Sequence, residues 1–118
     1  MNLNEYPAAI AKLQRQILDL DQTIIMLQES LSILAVEIEK QVIADASLTN
    51  DTKRKAKRLE LQQSDFDYCK ASNELKDAQN QRDRLDIDLQ LLRNQFSVLK
   101  LEERRAIATM ELHASSAA

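Results

Sequence analysis

The densest chemical feature of the 118-residue chain is Lys53-Arg54-Lys55-Ala56-Lys57-Arg58, five cations in six positions. Such a cluster can neutralise the phosphates of a nucleic acid or read as a nuclear import signal. No aromatic residue is interleaved with it, so stacking on single-stranded bases has no support. A structural role competes. Glu37, Glu39 and Asp45 crowd the end of the preceding apolar stretch. Cations at a helix start and acids at a helix end both oppose the helix dipole. Antiparallel pairing would set these charges side by side and relieve both. The structural role is the favoured reading. Binding of an anionic partner through Lys53, Arg54, Lys55, Lys57 and Arg58 is the second.

The remaining reactive residues do not assemble into a site. Cys69 and His113 are the single cysteine and the single histidine. They are too far apart in sequence to suggest a nucleophile with its base, and no Glu-x-x-His pair is present for a metal. Asp83, Asp86 and Asp88 alternate with Arg82 and Arg84, as on a solvated helix laced with ion pairs. Arg82 falls among apolar seam positions, where it would mark register or extend its charge to the surface. No enzyme is expected, and no cofactor or metal.

The elements that must position these residues are helices. The chain lacks glycine entirely, which argues against phosphate-cradling loops and tight hairpins. Pro7 is the one proline and stands where a helix start tolerates it. A net charge of −3, from 16 basic and 19 acidic residues, gives no global attraction to nucleic acid or an anionic membrane. The single cysteine excludes an intrachain disulfide and suits a reducing, cytoplasmic site. Met1–Glu5 has neither basic patch nor apolar run, so no secretory leader is expected there. No run of about 18 uncharged apolar residues would span a membrane.

From Ile10 to Ile38 the apolar residues follow a strict heptad: Ile10, Ile17, Ile24, Leu31 and Ile38 in one row, Leu13, Leu20, Leu27 and Leu34 in the other. This 3.5-residue period predicts a helix supercoiled on another helix. Helix 1 is expected over about 7–44, and residues 45–51 form the one convincing turn, with Thr49 or Asn50 as the cap of the next helix. Helix 2 is expected over about 51–112. Its seam reads Leu61, Ser64, Tyr68, Ala71, Leu75, Ala78, Arg82, Leu85, Leu89, Leu92, Phe96, Leu99, Ala106 and Met110. Ser64 with Asp67 resembles a capping box; a break there would divide the helix into 51–63 and 65–112. The ends, 1–5 and 114–118, are expected to be short disordered segments. The expected fold is therefore all-α, one long antiparallel coiled-coil hairpin forming a single domain.

Two features predict a second copy. Helix 1 carries an extra apolar stripe, Leu18, Ile25, Met26, Ile33 and Val36, which a single partner helix would not cover. Helix 1 would also be shorter, about 57 Å against about 93 Å for an unbroken helix 2. Folded back at 46–50, it would run out opposite Leu85–Leu89 and leave Leu92, Phe96, Leu99 and Met110 bare. These residues and the extra stripe are the expected oligomer interface of a dimeric helical bundle.

Leu48-Thr49-Asn50 with Lys53-Arg54, and later Leu91-Leu92-Arg93-Asn94-Gln95-Phe96-Ser97-Val98-Leu99-Lys100, resemble small uncharacterised coiled-coil proteins of bacteria and their phages. The resemblance covers about the C-terminal two thirds and implies a bacterial cytoplasmic protein, from a mobile element and acting beside DNA-processing proteins. It assigns a role to no residue. The expected function is non-catalytic: a structural or adaptor coiled coil that self-associates and binds a protein partner. A nucleic-acid accessory role through the basic cluster is the alternative. A chaperone-like or secreted hairpin is a third class, but the Trp-x-Gly signature of secreted helical hairpins is missing.

Overall fold

The computed structural model describes residues 1–117. It contains three α-helices: α1, Tyr6–Ala44; α2, Asp51–Ser64; and α3, Phe66–Ala117. A 3-10 turn, Leu3–Glu5, leads into α1, and the described residues form no strand. This is an all-α antiparallel helical hairpin, α1 forming one arm and α2 with α3 the other. The expected disorder at 1–5 is replaced by a small capped turn. The Asn2 N–H donates to Glu5 Oε2 at 3.1 Å, and the Glu5 N–H donates to the Asn2 carbonyl at 3.0 Å. At the other end the helix continues through Ala117, because nothing in Ala114–Ala117 interrupts the backbone ladder; Ala118 lies outside the described residues.

The chain divides into two compact units, Asp19–Arg82 and Met1–Leu18 with Asp83–Ala118. In the first, the α1 heptad residues Ile24, Leu27, Leu31, Leu34 and Ile38 all point inward. The heptad stops at Ile38, yet Val42 is the most buried residue, 1% exposed. The turn folds over it: the Asp45 N–H donates to the Val42 carbonyl at 3.3 Å, and Leu48 is half-buried. Asp45 also accepts from the Ser47 N–H at 3.0 Å and the Ser47 hydroxyl at 2.6 Å, a side-chain turn that polar residues supply without glycine. Asn50 then caps α2, accepting from the Lys53 N–H at 2.9 Å.

The second arm does break, one residue later than the Ser64–Asp67 pattern implies. Asp65 leaves the helical region, with φ −81° and ψ 113°. It is both the last partner of α2 and the cap of α3. Its N–H donates to the Leu61 carbonyl at 3.0 Å, while its carboxylate accepts from the Tyr68 N–H at 3.0 Å. A carboxylate is an effective N-cap, and its charge suits the positive helix end. Ser64 is instead exposed, its hydroxyl donating back to the Leu61 carbonyl at 3.3 Å. The break leaves the last carbonyls of α2 without helical donors. The Cys69 thiol fills part of that gap, 3.3 Å from the Gln62 carbonyl and 3.4 Å from that of Gln63.

In the second unit, Ile10, Leu13 and Ile17 of α1 and Leu85, Leu89, Leu92, Phe96 and Leu99 of α3 point inward, with Ile17 and Leu89 buried. Tyr6 stacks on Phe96, ring centroids 5.6 Å apart and planes 7° from parallel. Lys100 Nζ lies 4.3 Å from the centroid of the Phe96 ring. This aromatic closure corrects the expectation that helix 1 ends opposite Leu85–Leu89. Leu92, Phe96 and Leu99 are half-buried within the chain and are not a bare overhang. The reason is visible in Asp19–Arg82. Between the Glu39–Arg58 and Asp21–Arg82 pairs, α1 advances 18 residues while the other arm advances 24. The break at Asp65 absorbs the surplus, so the later part of α3 pairs further along than an unbroken helix would. The exposed extension starts at Lys100, and residues through Ser116 are all exposed.

Candidate functional site

Two surfaces hold the residues singled out from the sequence. The first is the face of α1 turned away from its seam. Leu18, Ile25, Met26, Ile33 and Val36 are each more than half exposed, and Ile43 extends the row. Steps of 7 and 11 residues keep Leu18, Ile25, Val36 and Ile43 within about 20° of one another around the helix, with Met26 and Ile33 flanking on one side. Glu29, Ser32 and Lys40 lie along the row, all exposed. The Ser32 hydroxyl donates to the Gln28 carbonyl at 2.9 Å, which turns its polar atom onto its own helix. A shallow hollow is left there, lined by Ile25, Gln28, Glu29, Ser32 and Ile33.

A comparable row lies on α3, in the unit that contains the termini. Ile87, Leu91, Val98 and Leu101 are each more than half exposed and stand opposite the inward Leu85, Leu89, Leu92 and Phe96. The sequence reading missed this row because it followed the seam alone. The 3.6-residue spacing of 87, 91, 98 and 101 could have revealed it.

The second surface is the basic cluster on α2. Arg58 forms a fork with Glu39, Nε to Oε2 at 2.6 Å and Nη2 to Oε1 at 2.9 Å. These hydrogen bonds, and then the guanidinium charge, hold the Glu39 carboxyl below its ordinary value. The same contact holds Arg58 above its own. Asp45 is also lowered, first by the Ser47 hydroxyl, then by the Ser47 N–H, with a smaller contribution from the charge of Lys57. Arg54 pairs with Asp51 at 3.0 Å and Lys57 with Glu60 at 3.5 Å, both along α2. Lys53 Nζ donates to Thr49 Oγ1 at 3.4 Å. Glu37, expected to face the cluster, pairs with Lys40 on its own helix at 3.1 Å. The charge balance read from the sequence is therefore carried across the arms by Glu39 and Arg58. Three of the five cations touch a carboxylate.

Arg82, placed on the seam by the heptad, donates from Nε to Asp21 Oδ1 at 2.9 Å, an ion pair across the arms. Cys69 is half-buried against the α2 carbonyls, with its geometry spent on the broken helix. Among the described residues, no group of three His, Cys, Asp or Glu stands close enough to hold a metal ion. None of their helices is long and apolar enough to cross a membrane. Comparison with protein-family models, with curated proteins and with solved structures gave no match.

Proposed function

We propose that the protein is a non-catalytic structural or adaptor coiled coil, which self-associates and presents a helical surface to a protein partner in a reducing, cytoplasmic setting. The observation that carries this reading is the exposed row on α1. The heptad seam is already satisfied by the hairpin, yet Ile25, Met26, Ile33 and Val36 remain in water. Contiguous exposed apolar surface of this kind marks an interaction site, and each such side chain gains about 1.5–3 kcal/mol on full burial. Ile87, Leu91, Val98 and Leu101 on α3 form a separate face for a second protein. The basic cluster supports nucleic-acid binding less well, since Arg54, Lys57 and Arg58 are engaged by Asp51, Glu60 and Glu39. The bacterial or phage origin suggested by the resemblance fits a small adaptor of this type.

The test is mass in solution. Light scattering at micromolar concentration is expected to give a multiple of 13.5 kDa. The mass of one chain would overturn the reading.

A further inference from the structure

The row on α1 has an internal symmetry that goes beyond the self-association proposed above. Leu18, Ile25, Val36 and Ile43 are spaced 7, 11 and 7 residues apart. The spacing is the same read in either direction, with its centre between Ser30 and Leu31. An antiparallel two-fold pair that sets apolar residue on apolar residue needs such a pattern, because residue i then meets j and j meets i. Steps of 7 and 11 together make 18 residues, which is five full helical turns. The row therefore runs straight along the axis over about 38 Å.

We infer that two copies pair back to back through α1, antiparallel, with Ile25 of each against Val36 of the other and the two-fold axis between residues 30 and 31. This rests on the self-association proposed above and names its partner and register. In that register Leu18 stands across from Ile43, and Met26 lies near Ile33. At the centre Glu29 faces Ser32 of the second copy, whose small side chain and inward-turned hydroxyl leave the hollow between Ile25 and Ile33. Charge agrees with the direction. Lys40 comes near Asp19 of the second copy, on the same flank of the row. A parallel, in-register pair would instead bring Glu29 beside Glu29 on the row itself. Flanking charges of this kind decide the orientation of paired helices.

Spin labels test both direction and register. With Cys69→Ser as background, Glu29→Cys and Gln22→Cys each place one label on this exposed face. In the antiparallel pair, the two copies of position 29 are three residues out of step and lie about 10 Å apart. The two copies of position 22 are 17 residues out of step and lie about 27 Å apart. The expected result is dipolar broadening from the Glu29→Cys label and a resolved long distance from the Gln22→Cys label. Two short distances would mean parallel pairing, and no short distance would mean another face. Either overturns the register while leaving self-association standing, whereas a single-chain mass removes both. Ile33→Glu supplies an independent reading, because the residue is exposed in the hairpin and its loss leaves the seam intact. Its expected mass is one chain with unchanged helical circular dichroism; retained association would overturn the inference.

Discussion

In Asp19–Arg82 the large inward residues include Ile24, Leu27, Leu31, Leu34 and Ile38 on α1 and Leu61, Tyr68 and Leu75 on the other arm. The inward positions of that arm also include Ala71, Ser72, Ala78 and Arg82. In the unit that contains the termini both sides are large, with Leu85, Leu89, Leu92, Phe96 and Leu99 on α3 and Tyr6, Ile10, Leu13 and Ile17 on α1, beside the smaller Ala9 and Ala11. The turn-containing unit holds the Glu39–Arg58 and Asp21–Arg82 pairs and the Asp65 break. The other is closed by Tyr6 stacked on Phe96. The difference shows two ways to stabilise one seam. Where one side mixes large residues with small and polar ones, polar pairs and caps fix register. Where both sides are large, burial and ring contact suffice.

The largest expected effect comes from the buried end of the turn-containing unit. Ile38 is 2% exposed, so Ile38→Ala should cost about 2–5 kcal/mol in urea unfolding, through lost burial and the cavity left behind. A loss below about 1 kcal/mol would mean that this unit is not held by its apolar wall. Asp65→Ala comes next. It removes the carboxylate that caps α3, and a lost N-cap costs about 0.5–2 kcal/mol. An unchanged midpoint would show that the break is set by tertiary packing and not by the cap. Phe96→Leu probes the other unit. It keeps an apolar side chain but removes the ring that Tyr6 and Lys100 contact, a loss of about 0.5–1.5 kcal/mol beyond burial. A double-mutant cycle with Tyr6→Leu should show coupling; additive effects would mean the stack contributes no energy of its own.

The heptad of Ile10–Ile38 announces the seam, and each of its residues is inward or half-inward in the structure. Periodicity is strong there because one face meets one helix. The turn was legible for a similar reason, since Asn50 and Asp45 have few other uses so close to a helix end. What sequence could not supply was offset. Whether the chain leaves the helix at Ser64 or Asp65 depends on one backbone dihedral, and both residues are able caps. That single choice decides where α1 runs out, so it decided the standing of Leu92, Phe96 and Leu99. Val42 escaped notice because it lies four residues beyond the last heptad position and is buried by the turn rather than by the seam. The exposed row at Leu18, Ile25, Met26, Ile33 and Val36 was legible because no hairpin of two arms offers a helix to cover it.

The smallest expected effect is at the turn, and pH is the way to see it. Glu39 and Asp45 are both held below their ordinary values in the folded chain, by Arg58 and Ser47 respectively. A depressed carboxyl stabilises the fold only while it stays ionised. Its contribution is thus fully present above the unfolded value, about pH 4–4.5, and is lost as pH falls through the lower folded value. Thermal melts should show no contribution from these groups to the slope between pH 7 and pH 5, and a decline below about pH 4. Glu39→Gln with Asp45→Asn should lower the melting point slightly at neutral pH and remove part of the acid decline. Both side chains are partly open to solvent, so the difference should be modest, as for other surface pairs. Arg58, raised by the same fork, would act only at strongly alkaline pH and leaves this window untouched. If the double variant declines as steeply as the native chain, the acid sensitivity belongs to other carboxylates. The Glu39–Arg58 fork would then orient the two arms without contributing to pH-dependent stability, and the turn unit would depend on apolar burial such as that of Ile38 and Val42.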